Sequence, residues 1–134
     1  CIRDSDRSYG WRGFMREEFN SRYSFIKSSI CQGLVWCFWH TLLWIVDSEF
    51  TDLRAIPYII SNIVVITSIT VLINIFLERH NNLIYSVLFH FGFNIIYVFL
   101  NADIMFFVIL TILYLIITPF AVLFRNKTKI RNQR

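Results

Sequence analysis

The sequence predicts an all-α fold, a polytopic bundle of transmembrane helices, and three observations carry that prediction. First, 56% of the 134 residues are apolar and 18% aromatic, against 16% charged. That balance excludes both an ordinary soluble domain and a disordered chain. Second, the charges are segregated: residues 1–27 hold ten of them, residues 125–134 hold five, and the 97 residues between hold seven. Third, four charge-free windows result, at 28–46, 55–77, 80–102 and 104–124. A helix needs about 20 mostly apolar residues to cross a hydrocarbon core of ~30 Å, and each window is long enough or nearly so.

Taken in order, residues 1–27 form a cytoplasmic or interfacial segment. Within it, segment 14–27 mixes Phe14, Met15, Phe19, Tyr23, Phe25 and Ile26 with five charges, the pattern of a helix lying along a membrane surface. Four spans follow over residues 28–124, placed at about 28–46, 55–77, 82–101 and 104–124. Pro57 sits near the start of the second span, where a missing N–H costs little. Pro119 lies late in the fourth and is expected to kink or end it. Residues 125–134 form a basic cytoplasmic tail. No internal repeat or Gly/Ser linker divides the chain, so it reads as one domain or part of one. It begins at Cys1 rather than Met and reads as a piece lacking N-terminal residues.

The loops set the orientation. Six basic residues in 1–27 and five in the tail flank connections that are acidic or neutral, such as Asp47, Glu49 and Asp52 against Arg54. Basic residues concentrate on the cytoplasmic side of short loops, so both ends are expected in the cytoplasm, in agreement with the parity of four spans. An integral protein of a bacterial plasma membrane is expected, with membrane lipid as its first partner. The tail RNKTKIRNQR starts directly after an apolar span, so it reads as an anchor to anionic lipid and no nucleic-acid partner is expected. Cys1, Cys31 and Cys37 are odd in number and lack CxxC spacing, which argues against a disulfide framework or a zinc knuckle.

In a bilayer the informative residues are the polar ones at membrane depth, which are costly and face the bundle interior. The first span contains Gln32 and His40. The second contains Asn62, Thr67, Ser68, Thr70 and Asn74, and the third His90 and Asn94, with Ser86 nearby. His90 and Asn94 are four apart, hence one turn apart on one helix face, and Gly92 between them is expected to permit close helix approach. Trp36 and His40 repeat the i,i+4 spacing. Two histidines and an amide facing one cavity can orient water and hydrogen-bond a developing oxyanion. The plainer role is hydrogen-bonded glue between helices. His80 sits at the loop edge and is assigned no role. No cofactor is assured: a catalytic zinc wants a third histidine or a carboxylate, and two histidines with an asparagine make a poor ligand set.

Three stretches together resemble the CPBP family of intramembrane endopeptidases, which includes the CAAX prenyl-protein proteases and the Abi-type bacteriocin-processing and immunity proteins. They are Gly10-Trp11-Arg12-Gly13-Phe14, then Trp36-Cys37-Phe38-Trp39-His40, then His90-Phe91-Gly92-Phe93-Asn94. The family pattern is EExxxR, an aromatic-xxx-His motif and HxxxN, in that order around hydrophobic spans. The resemblance covers nearly the whole chain, as the C-terminal part of a larger domain with about twice as many spans. It implies hydrolysis of a peptide bond in a membrane-associated peptide or protein, at a site inside the membrane reached by water from the cytoplasm. It implies as site residues His40, His90 and Asn94, positioning water and stabilising the oxyanion, with Arg12 as the arginine of the first motif.

One departure is plain. Aligned on Arg12, the family's two glutamates fall at positions that hold Arg7 and Ser8. A second EExxxR string, Glu17, Glu18 and Arg22, lies ten residues further on, about 15 Å along a helix, and its distance to His40 is too short for the family. It reads as a chance match on a solvated face. Either the sequence upstream of Arg12 has been garbled by a frameshift, or the chain is an inactive relative. The first function expected is therefore a CAAX-type intramembrane endopeptidase. The alternative is a non-catalytic bacteriocin-immunity or scaffold protein of the same family. A transporter is disfavoured by the lack of an intramembrane acid for ion coupling.

Overall fold

The charge-poor runs fold as helices because a backbone surrounded by apolar side chains has to satisfy its own N–H and C=O groups. The computed structural model describes residues 10–47, 52–80, 82, 84–99 and 103–131, with side chains at these positions apart from 10–13, 42–47, 52, 85, 93, 94 and 96–99. Five helices account for almost all of them: α1 (Gly10–Arg22), α2 (Phe25–Asp47), α3 (Ala55–His80), α4 (Ile84–Phe99) and α5 (Ile104–Arg131), with a single 3₁₀ turn at Asp52–Arg54 ahead of α3. No strand occurs among the described residues, as the all-α expectation requires.

The described helix ends add detail to the sequence reading. The surface helix expected over 14–27 stops at Arg22, and Tyr23 and Ser24 separate it from α2, which begins at Phe25. Within the third window the described helix is α4, with 16 residues, about 24 Å long at 1.5 Å per residue. Its start is fixed by Asn82, whose Oδ1 accepts the Ile84 N–H at 3.0 Å. Pro119 neither ends nor interrupts α5, which continues through it to Arg131. Residues 125–131 of the basic tail are thus the last two turns of that helix, where cations favour the exposed carbonyl ends. Asp103 caps the other end of α5, its Oδ1 accepting the Ile104 N–H at 2.7 Å.

Among the described residues two helices, rather than the expected four, are long and apolar enough to cross a membrane: α3 with 26 residues and α5 with 28. The 16 residues described for α4 are fewer than a ~30 Å core needs. In α2 the apolar run is broken by Ser28, Ser29, Gln32, His40 and Thr41.

Both ends of the bundle show how the helices run. At one end the Arg125 side chain grips the Glu78 carboxylate through two bonds, Nε–Oε2 at 2.5 Å and Nη2–Oε1 at 2.6 Å. The same guanidinium lies 3.6 Å from the centroid of the Phe25 ring. At the other end Tyr58 and Phe107 meet edge to face, 5.0 Å apart. The start of α2 therefore lies beside the ends of α3 and α5, so α2 is antiparallel to α3 while α5 is parallel to it. α4 lies in the return between the two parallel helices.

The core sits on α3, whose inward positions Val65, Ile66, Ile69, Ile73 and Leu77 bury Trp36 and Cys37 of α2. Gly33 makes this approach possible: a methyl added there would lie 2.8 Å from the Thr67 Cα. Small residues let helix backbones come this close. Gly92, expected to do the same for α4, has no atom within 4 Å of where its Cβ would be. α4 packs beside α3 without a backbone approach at that point.

Candidate active site

The polar residues of the apolar helices divide into two groups with different surroundings. Most are satisfied locally. Asn62 Nδ2 donates to the Tyr58 carbonyl at 2.9 Å and Thr70 Oγ1 to the Ile66 carbonyl at 2.8 Å, both one turn back. Thr41 Oγ1 donates to the Cys37 carbonyl at 2.8 Å. Such bonds place a hydroxyl or amide inside an apolar helix without a partner from elsewhere.

The second group crosses between helices. Ser28 Oγ donates to Asn20 Oδ1 of α1 at 2.6 Å, and Gln32 Nε2 donates to Ser28 Oγ at 2.9 Å. Asn74 Nδ2 of α3 donates to Ser29 Oγ at 3.0 Å and, less closely, to Gln32 Oε1 at 3.4 Å. Ser28 and Ser29 are fully buried. This chain ties α1, α2 and α3 together near the Arg125 end, and for Gln32 and Asn74 the glue reading holds.

His40 and His90 stand further along. They come from α2 and α4, and their ring centroids are 6.2 Å apart. Trp36, 4% exposed, contacts both. It stacks on His90 at 5.1 Å with 22° between planes, and meets His40 at 5.9 Å at a steep angle. The i,i+4 spacing explains the second contact, since residues four apart share one helix face. Both histidines are half-buried, and both lie against the indole. Ring positions this close allow one small oxygen-bearing group to touch both imidazoles.

Asn94 lies on α4 one turn beyond His90, and Arg12 lies in the first turn of α1. The side chains of both fall outside the described ones. So do Arg7 and Ser8. Glu18 of the second EExxxR string pairs with Arg22 one turn on, both well exposed, as expected of a solvated helix face. Arg16, unremarked in the sequence, is half-buried with its Nε shielded and without a hydrogen-bond partner among the described residues. Burial lowers its pKa from the usual value, opposed by the nearby carboxylates of Glu78 and Glu17. Among the described residues no three of His, Cys, Asp and Glu are grouped to hold a metal ion. His40 and His90 make two ligands where a zinc site takes three or four, so the described residues do not fit a zinc ion. Cys31 and Cys37 are free thiols.

The sequence pairs Trp36 with His40 through the i,i+4 spacing, whereas its stacking on His90 of another helix has no local sequence signal. Trp39 is 76% exposed, while Trp36 is core.

Residues 9–96 match the family described as type II CAAX prenyl endopeptidase Rce1-like. The matched range holds Arg12, His40, His90 and Asn94 and begins just after Arg7 and Ser8. CAAX prenyl protease 2 of Methanococcus maripaludis is 30% identical over 90 residues, which cover 64% of this chain and 33% of that relative. The aligned part is thus about a third of the relative's length. No solved structure matches.

Proposed function

Because the chain belongs to the Rce1-like family of type II CAAX prenyl endopeptidases, we propose that it acts in hydrolysing a peptide bond of a membrane-associated protein, with the His40–His90 pair at the reacting centre. The observation that carries this reading is the 6.2 Å separation of two imidazoles from different helices, backed by one buried indole. In this reading His40 and His90 hold the attacking water and donate to the oxyanion that forms on the scissile carbonyl, where fixed donors in a dry site act most strongly. Asn94 adds an amide donor from the same face as His90, and Arg12 braces the segment ahead of the site. The name of the archaeal relative gives the substrate class to try first, a prenylated peptide with a CAAX-type end.

The same reading puts α2, α3, α4 and α5 in the bilayer with both chain ends in the cytoplasm. The parallel course of α3 and α5, read from Glu78–Arg125 and Tyr58–Phe107, supports it. Two parallel helices require the chain between them to travel back across the bundle, and α4 is the only described helix there. Its exposed Val87, Leu88 and Phe91 suit lipid.

A second reading has its own observation. Arg7 and Ser8 stand where the family's glutamates align, and a carboxylate base is what such a hydrolysis lacks most. On that reading the chain binds a membrane peptide at the same site without cutting it, as a scaffold or immunity factor would.

One experiment separates the two. The purified chain is incubated in lipid with a prenylated CAAX-type peptide, beside His40→Ala, His90→Ala and the double variant Arg7→Glu/Ser8→Glu. Cleavage by the unaltered chain that either alanine abolishes supports the peptidase. Cleavage indifferent to both histidines refutes the site. Peptide binding without cleavage, with cleavage appearing only in the double variant, supports the second reading.

A further inference from the structure

A small cavity of about 20 Å³ lies between α1, α2 and α3, lined by Met15, Gln32, Trp36, Thr70, Ile73, Asn74 and Leu77. It holds together three features that apolar voids lack. Its volume exceeds the 10–15 Å³ or so that one water needs. Three of its lining side chains are polar and buried, with Gln32 6%, Thr70 7% and Asn74 3% exposed. And the Asn74–Gln32 contact across it is 3.4 Å, longer than the usual 2.7–3.2 Å range, so both amides keep capacity for another partner.

We propose that this cavity is a water-binding site, in which Gln32, Thr70 and Asn74 hold one water molecule against Trp36. Thr70 spends its proton on the Ile66 carbonyl, which leaves its oxygen lone pair to accept from the water. The two amides offer both donors and acceptors, completing the two to four bonds a buried water makes. The far wall matters for the chemistry. Trp36 lines the cavity and also stacks on His90 at 5.1 Å. The hydrogen-bonded chain Asn20–Ser28–Gln32 leads from the exposed end of α1 to the cavity. Water from that end therefore has a polar route to the partition behind the histidine pair. Its use as the store of hydrolytic water rests on the peptidase reading; the water site itself does not.

The test is radiolytic hydroxyl labelling of the full chain in detergent or lipid, read by mass spectrometry. Irradiation splits bound water where it sits, and the radical oxidises the nearest side chain. Trp36 and Tyr58 are equally buried, at 4% and 5% exposed, but only Trp36 lines the cavity. After correction for intrinsic reactivity, Trp36 should be labelled several-fold faster than Tyr58. Thr70→Val, which keeps the shape and removes the oxygen, should lower Trp36 labelling several-fold while leaving exposed Phe14 unchanged. Equal labelling of Trp36 and Tyr58 in the unaltered chain means a dry cavity and overturns the proposal, whether or not the variant folds. A labelled Trp36 in a chain that cleaves nothing counts against the peptidase reading and leaves the water site standing.

Discussion

Adding one methyl group at Gly33 and at Gly92 should move stability in different directions. At Gly33 the new Cβ would lie 2.8 Å from the Thr67 Cα and 3.2 Å from its Cβ and Cγ2. The first obstacle is backbone, which no rotamer change removes. Carbon atoms rest at about 3.5–4.0 Å, so α2 has to retreat from α3 by roughly 1 Å. That movement loosens the core that Trp36 and Cys37 make with Val65, Ile66 and Ile69. It also stretches the Asn74–Gln32 contact, already 3.4 Å long. Overpacking of a tight interface costs about 1–3 kcal/mol. At Gly92 the methyl meets nothing within 4 Å, and alanine is favoured over glycine in a helix interior by up to ~1 kcal/mol. The two variants should therefore differ by at least ~1 kcal/mol, a factor of about five in the unfolding equilibrium. Denaturant titration in one detergent, followed by circular dichroism and tryptophan fluorescence, measures both. If Gly33→Ala proves as stable as Gly92→Ala, the close approach of α2 to α3 is wrong.

The other predictions concern ion pairs and the reacting centre. Arg125→Ala removes a two-point grip on Glu78 and a stack on Phe25, and its side chain is only 11% exposed. We expect a loss of about 1–3 kcal/mol, read by the same titration, since Lys129, already paired with Glu78 at 3.7 Å, offers a point charge and not the two-point fork. Arg125→Lys keeps the charge but loses the fork, and should fall between. Arg22→Ala breaks the exposed Glu18 pair and should cost at most ~0.5 kcal/mol; an equal cost for the two arginines would refute the distinction between a gripping and a solvated pair. On the peptidase reading His90→Ala should abolish cleavage while shifting the unfolding midpoint less than Gly33→Ala does, because His90 lies half-buried on α4, outside the core cluster.

What was legible in the sequence follows from what periodicity and charge record. Helices were legible because an apolar run without charge has few other ways to satisfy its backbone. Their ends were less so, since they depend on particular caps. Asn82 starting α4 and Asp103 starting α5 are single side-chain bonds, and a charge-free window says nothing about them. Pro119 does not end α5: proline costs a hydrogen bond, yet the neighbouring turns carry the helix through it to Arg131. The two glycines show the limit of reading residue type alone. Gly92 sits between two motif residues and was expected to mark a close approach, whereas the approach is at Gly33. Which glycine faces a neighbour is decided by helix rotation, and that is set by tertiary packing.

For the site, the sequence named His40 and His90 through motif spacing, while the reason they meet lies elsewhere. Neither histidine touches the other by sequence logic, being fifty positions apart on helices α2 and α4. Trp36 brings them together, because its indole is wide enough to fill the α3 core on one side and contact both imidazoles on the other. His40 thus stands on a helix anchored by the Gly33 approach, the Asn74 bonds and the Arg125–Phe25 stack. His90 stands on a short helix with an open Gly92 and lipid-suited Val87, Leu88 and Phe91. One half of the pair is fixed and the other is held by stacking on Trp36 and by the Phe76–Phe89 contact at 5.3 Å. In the proposed function a peptide would meet the pair from the side of α4, the less closely packed of the two helices, while α2 keeps its histidine in place. That asymmetry is compatible with cutting and with binding alone, and the carboxylate missing at Arg7 and Ser8 is what divides them.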